Sequence, residues 1–134
     1  MIELVNIEKR FGNKRVLRNI NLNLQEGKVY GLFGPNGVGK TTLLKIMAGY
    51  NKKTSGEYKI NGLDFTYENK DHITFISDKE IFYGWMKIKD AVKYYKDFFT
   101  DFDEEKCLRL VKMMKLEADD KINVLSKGMK ARLK

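Results

Sequence analysis

The sequence has 134 residues but only one cysteine, one proline and one histidine. Because a disulfide needs two thiols, Cys107 cannot form one within the chain, which is typical of proteins from a reducing compartment. The single imidazole, that of His72, cannot by itself build a histidine metal site. The longest uninterrupted apolar run, residues 29–33, is far shorter than the roughly 20 residues of a transmembrane helix. The sequence therefore predicts no membrane span.

Arginine is also scarce, since only five of the 26 basic residues are arginines. The net charge of +8 favours anionic partners such as nucleic acid, an anionic membrane surface or phosphorylated ligands. Recognition of base edges depends mainly on arginine, so we interpret the lysine-rich composition as a solvated surface and expect no nucleic-acid partner. The apolar fraction of 43% is that of a globular domain with a core.

The first part of the chain predicts strands. A strand is predicted over residues 28–33, because its continuous apolar run 29–33 indicates a strand buried on both faces in a parallel sheet. Other strands are predicted at Ile2–Ile7, Ile20–Leu24, Glu57–Ile60 and Ile73–Ile76, with a tight turn at Asn61-Gly62 and a helix over Lys40–Tyr50.

Helical periodicity begins at Ile88, and Asp103 is the predicted N-cap of the next helix. Cys107 lies on the apolar face of that helix, so we interpret it as a core residue. We therefore expect a β-rich portion with a phosphate loop over about residues 1–87 and a helical portion over about residues 88–134.

A glycine-rich loop carries the strongest functional signal. It matches the P-loop pattern G-x-x-x-x-G-K-[ST] and lies between a predicted strand and a predicted helix. Its glycines let successive backbone N–H groups point at phosphate oxygens, and the helix N-terminus favours the same anion. The loop residues are Gly34, Pro35, Asn36, Gly37, Val38, Gly39, Lys40 and Thr41.

The residues that end this loop have separate predicted roles with a nucleoside triphosphate. Lys40 bridges the β- and γ-phosphates, and the hydroxyl of Thr41 binds Mg²⁺. Thr42 adds a hydroxyl hydrogen bond to the α-phosphate. The sequence thus predicts ATP and Mg²⁺ as cofactors.

Residues around this loop resemble the N-terminal half of an ABC-type ATPase. The likeness rests on Phe11-Gly12, Val16-Leu17, Gly27 and the run from Gly34 to Thr42. It implies that the Phe11 ring stacks on adenine and that Val16 packs on the same base. An ordinary core aromatic is the alternative interpretation of Phe11.

Leu125-Ser126-Lys127-Gly128-Met129 resembles the ABC signature, which is usually Leu-Ser-Gly-Gly-Gln. The resemblance implies that Ser126 and Gly128 contact the γ-phosphate bound by a second subunit. It also implies an α/β fold: a partial P-loop NTPase core with an N-terminal antiparallel β-subdomain and the start of the helical signature subdomain.

The family has a glutamine after the strand that corresponds to Ile73–Ile76, and this sequence has none there. Asp78 could replace it as a Mg²⁺ ligand, or it could be a solvated loop acid. Residues 81–95 resemble the segment that contacts a membrane subunit. Phe82, Tyr83 and Trp85 are therefore candidate contact residues, with a core role as the alternative.

The resemblance implies the ATP-binding subunit of an ABC membrane transporter, peripheral at the cytoplasmic face of the membrane. Its partners would be a transmembrane permease subunit and a second ATP-binding subunit, identical or different, in a head-to-tail dimer. The alternative is a nucleic-acid-associated ABC-type ATPase of translation or repair. A small GTPase or P-loop kinase fits poorly because the guanine-binding pattern Asn-Lys-x-Asp is missing.

The likeness covers about the first three-fifths of a typical ABC ATPase domain. The 134 residues contain no apolar strand ending in Asp-Glu and no switch histidine. We therefore expect a truncated copy that hydrolyses no ATP alone and exposes an open sheet edge.

Overall fold

The computed structural model describes residues 1–66, 73–77 and 82–133. The chain forms two compact units, Met1–Phe75 and Ile76–Lys134. The first unit carries the phosphate loop, and the second carries the helical segment. Among the described residues, no helix combines the length and the apolar character needed to cross a bilayer.

The first unit contains a four-stranded antiparallel sheet in the order β2-β1-β3-β4. Asn61 and Gly62 connect the last two strands, and both have positive φ (51° and 81°), as a tight hairpin turn with a right-handed twist requires. The strands are β1 (Ile2–Phe11), β2 (Lys14–Leu24), β3 (Ser55–Ile60) and β4 (Leu63–Asp64). The strands predicted at Ile2–Ile7, Ile20–Leu24 and Glu57–Ile60 are therefore confirmed.

Helix α1 (Lys40–Met47) packs its apolar face on this sheet. It ends three residues before the predicted end because Gly49 adopts a left-handed conformation (φ 74°), which is typical of a helix C-terminus. The hydroxyl of Tyr58 donates to the carbonyl of Met47 at 2.6 Å. The buried core of the first unit consists of Leu4, Ile7, Leu17, Leu43, Ile46 and Tyr58.

Two predicted strands are wrong, and one of them is the strand expected in a parallel sheet. Residues 28–33 and 73–76 are not in strands, and the sheet of the described residues is antiparallel throughout. The Val29 side chain is fully exposed and Phe33 is 92% exposed. An apolar run becomes a buried strand only when neighbouring strands pair with it and cover its faces, and none of the described residues does so here.

The second unit is helical. It contains α2 (Ile88–Phe98), α3 (Glu104–Met113), a short 3₁₀ turn (Ile122–Val124) and α4 (Lys127–Leu133). The predicted cap of α3 is confirmed, since the Asp103 Oδ1 accepts a hydrogen bond from the Lys106 backbone N–H at 2.8 Å.

Ile88, Val92, Val111, Leu116 and Leu125 form the main core of this unit. Cys107 packs against it half-buried, as predicted, and burial raises the pKa of its thiol. A raised pKa keeps the thiol protonated at neutral pH, so a structural role fits better than a nucleophilic one.

Candidate functional site

The phosphate loop runs from the exposed segment 31–38 into α1. Gly37 has φ of 80° and Gly39 has φ of 108°, which are conformations that L-amino acids rarely adopt. The glycines of the motif are therefore needed to turn the chain into the helix, as the sequence predicted.

Gly39 is also constrained by packing against β2. A Cβ atom at Gly39 would lie 2.8 Å from Leu17 Cδ2 and 3.3 Å from Val16 Cγ1. The first of these distances is too short for any real carbon–carbon contact. The end of the loop therefore rests directly on β2, and Val16 lies beside the loop.

The N-terminus of α1 is open to an anion. Gly39 is its N-cap and supplies no capping side chain, and the first turn contains no acidic residue. The Leu43 N–H bonds the Gly39 carbonyl at 2.9 Å. By helix geometry the amides of the preceding turn have no acceptor within the helix, and together with the helix dipole they favour a negatively charged ligand.

Lys40 folds back across the loop. Its Nζ donates to the Gly34 carbonyl at 2.6 Å and to the Pro35 carbonyl at 2.8 Å. These bonds hold a flexible cation over the glycine turn that precedes the helix. Thr41 is exposed, and Thr42 is half-buried. The donor set of glycine amides, one ammonium and two hydroxyls fits a polyphosphate with its Mg²⁺.

Phe11 is the last residue of β1 and pairs with Lys14 at the start of β2. Its ring is 49% exposed, so the structure does not support the core interpretation. Val16 is half-buried and packs against the core of the first unit. The β1–β2 hairpin thus joins an exposed aromatic ring to the strand on which the loop rests.

The sequence reasoning did not identify Lys9, whose Nζ lies 4.6 Å from the centroid of the Phe11 ring. Residues i and i+2 of a strand share a face, but the strand predicted from the sequence ends at Ile7 and includes neither Lys9 nor Phe11. The structure extends β1 to Phe11 and so places the two side chains on one face.

The signature segment lies in the second unit. The Ser126 Oγ accepts a hydrogen bond from the Met129 N–H at 3.2 Å at the start of α4. Ser126 and Gly128 are exposed, and a Cβ atom at Gly128 would meet nothing within 4 Å. Lys127 is exposed, whereas Met129 packs against the helical core, so the two departures from the usual signature have different surroundings.

The two predicted Mg²⁺ ligands are Asp78 and Thr41. Asp78 lies outside the described residues, so its role as a Mg²⁺ ligand stays a prediction. Within the described part of the chain, no group of three or more His, Cys, Asp or Glu residues could hold a metal ion. The hydroxyl of Thr41 occupies the P-loop position whose Ser or Thr binds Mg²⁺ in P-loop proteins, and its role here stays a prediction.

The three aromatic residues predicted to contact a membrane subunit separate into two groups. Phe82 is half-buried and lies edge-on to Tyr95, with ring centroids 5.8 Å apart. Tyr83 and Trp85 are 69% and 72% exposed and stack on each other at 5.8 Å. Of these three residues, Tyr83 and Trp85 therefore expose most of their surface to another molecule, and Phe82 does not.

The chain is similar to ATP-binding proteins of ABC transporters. A family profile described as ABC transporter matches residues 17–134. The lantibiotic transport ATP-binding protein SrtF of Streptococcus pyogenes is 33% identical over 135 residues, covering 99% of this chain and 58% of that protein. The spermidine/putrescine import ATP-binding protein PotA of Spiroplasma citri is 32% identical over 140 residues, covering 99% of this chain and 40% of that protein. The chain thus spans about half the length of these relatives.

Solved structures give the same result. A putative ABC transporter ATP-binding protein from Pyrococcus furiosus superposes with a TM-score of 0.81 at 27% identity, covering 98% of this chain and 66% of that one. An ATP-binding cassette solved as a dimer in a post-hydrolysis state, bound to ADP and Pi, has a TM-score of 0.76 at 27% identity, covering 99% and 66%. The predicted fold class, a partial P-loop NTPase core, is confirmed.

Proposed function

The chain belongs to the ABC transporter family, and we propose that it acts as the ATP-binding subunit of a membrane transporter. The observation that carries this proposal is the phosphate loop. Its glycine turn rests on β2, its helix has an uncapped N-terminus, and Lys40 lies across it. Together these features form a cradle for a triphosphate.

Each site residue then has a role in holding Mg²⁺-ATP. The amides of the loop and of the first turn of α1 donate to the phosphate oxygens. Lys40 exchanges its two carbonyl acceptors for the β- and γ-phosphates, and Thr41 binds Mg²⁺. Thr42 bonds the α-phosphate, while Phe11 and Val16 hold the adenine. The exposed ring of Phe11 and the position of Val16 beside Gly39 support the last assignment.

A second subunit would complete the site. We propose a head-to-tail dimer in which Ser126 and Gly128 of one subunit contact the γ-phosphate held by the other. Their exposure supports this, as does the dimeric state of a related cassette. The 134 residues contain no apolar strand ending in Asp-Glu. Because none of the described residues is assigned a role in orienting the attacking water, we propose that these 134 residues bind ATP without steady turnover.

The membrane partner would be a permease subunit at the inner face of the membrane. The names of SrtF and PotA describe a transport and an import ATP-binding protein, which supports this class of partner. We propose the exposed Tyr83–Trp85 pair as part of the contact surface, because aromatic side chains supply large contact area at protein interfaces.

Isothermal titration calorimetry with Mg²⁺-ATP tests the proposal. The wild-type protein should bind, and Lys40→Met should weaken binding about tenfold or more, because a charge-assisted hydrogen bond to phosphate is lost. Lys28→Met is the matched control, since it removes one exposed lysine outside the loop and should leave the affinity unchanged. The proposal fails if wild type and Lys40→Met bind equally, or if neither binds.

A further inference from the structure

The exposed ring of Phe11 has one face in contact with a cation. Lys9 and Phe11 are two residues apart on β1, so their side chains emerge on the same face of the sheet. The Lys9 Nζ lies 4.6 Å from the ring centroid, within the range of a cation–π interaction. This contact leaves the opposite face of the ring as the one available to a planar ligand.

The ammonium of Lys9 is fixed in place by the chain that follows α1. Its Nζ donates to the Lys52 carbonyl at 2.6 Å. Two further bonds hold the residues on either side of Lys9, from the Thr54 N–H to the Glu8 carbonyl at 2.8 Å and from the Arg10 N–H to the Thr54 Oγ1 at 2.9 Å. The cation is thus anchored to the loop between α1 and β3.

We propose that Lys9 is a positioning residue for the nucleotide base. By covering one face of Phe11 it restricts the ring to one orientation and directs the base to the other face. A ring polarised by a cation on one side attracts an electron-rich purine on the other side. This inference rests on the proposed function, in which Phe11 stacks on adenine.

The inference separates binding of the base from binding of the phosphates. Lys9 is directed at the aromatic ring and the Lys52 carbonyl, whereas the phosphates are assigned to residues 34–42. Removal of the Lys9 ammonium should therefore weaken the binding of ligands that contain a base and leave the binding of ligands that contain only phosphates unchanged. A residue that merely maintained the fold would affect both classes alike.

The test is calorimetry of the full chain with two probes, Mg²⁺-ATP and inorganic tripolyphosphate. Lys9→Met, which keeps the aliphatic length and removes the charge, should weaken ATP binding about two- to fivefold, the strength of an exposed cation–π contact. Tripolyphosphate binding should be unchanged, and Lys9→Arg should restore ATP binding. Lys14→Met is the matched control, because Lys14 is exposed on the same hairpin and, within the described chain, makes no ring contact. It should leave the ratio of the two affinities unchanged.

A double-mutant cycle then tests whether Lys9 acts through Phe11. In a Phe11→Leu background, Lys9→Met should cause no further loss of ATP affinity. A persistent loss in that background would overturn the inference, as would equal weakening of ATP and tripolyphosphate by Lys9→Met alone. These results leave the proposed function intact, whereas a wild-type protein that binds neither probe would refute the proposed function itself.

Discussion

Gly39 and Leu17 are packed so closely that a Cβ atom at Gly39 would lie 2.8 Å from Leu17 Cδ2. This contact ties the last glycine of the phosphate loop to β2. The loop is therefore held in place by the sheet, and its conformation depends on the absence of a side chain at this position.

Gly39→Ala should destabilise the protein and abolish ATP binding. The backbone at Gly39 has φ of 108°, so alanine there is strained by about 1–3 kcal/mol before the contact with Leu17 is counted. Urea unfolding measures the first effect and calorimetry the second. Gly128→Ala is the matched control, since Gly128 lies in α4 and has open space around it. This variant should unfold with the same free energy as the wild type. Equal stability of the two variants would contradict the account.

Tyr58→Phe should lower the free energy of unfolding by about 1 kcal/mol at neutral pH, because the hydrogen bond to the Met47 carbonyl is lost. Tyr50→Phe removes a hydroxyl from an exposed ring and should cost nothing at that pH.

The same variant reports a pH dependence. Burial raises the pKa of Tyr58 to about 12, whereas an unfolded tyrosine titrates near pH 10. As the pH rises, the unfolded state therefore loses this proton first. The contribution of the protonated Tyr58 to the free energy of unfolding is complete below about pH 10 and is lost between pH 10 and 12. The free energy of unfolding of the wild type, measured with urea, should therefore fall relative to that of Tyr58→Phe over that interval. A wild-type free energy of unfolding that rises relative to that of Tyr58→Phe between pH 10 and 12 would contradict the assignment.

Trp85→Ala should change the free energy of unfolding by less than about 0.5 kcal/mol, because Trp85 lies on the surface. Ile88→Ala should instead cost about 2–5 kcal/mol, since Ile88 is fully buried. Chemical denaturation of both variants provides the comparison. A large loss for Trp85→Ala would show that the residue is part of the core and is not available to a partner.

The exposed apolar residues of segment 29–33 should cause self-association. Sedimentation velocity should show concentration-dependent association of the wild type, which Val29→Asp reduces. Met113→Asp places the same charge on an exposed apolar site of α3 and should leave the association unchanged. A monodisperse wild-type monomer over a wide concentration range would refute this prediction.

Local patterns predicted much of the fold. The alternation in Ile20–Leu24, the Asn61-Gly62 pair and the cap at Asp103 each act through neighbouring residues, so the sequence alone was sufficient for them. The strand predicted at residues 28–33 depends on partner strands that the described residues do not provide. Composition and periodicity cannot report such a dependence.

The site shows the same distinction. The glycine turn and the helix that starts at Lys40 depend on glycine conformation and helix geometry, both local properties, so the sequence alone predicts them. The roles of the single loop residues with a nucleotide stay predictions. The contact of Lys9 with Phe11 and the packing of Gly39 on Leu17 require knowledge of strand pairing and side-chain direction. Only the three-dimensional structure supplied these relationships.

The most direct test of the phosphate cradle is the backbone amide spectrum of the ¹⁵N-labelled protein during titration with Mg²⁺-ATP. The account predicts large, saturable shifts of the amides of Gly37, Gly39 and Lys40, which Lys40→Met strongly weakens. Amides of residues 34–42 that stay unmoved at saturating nucleotide, or shifts confined to other residues, would contradict it.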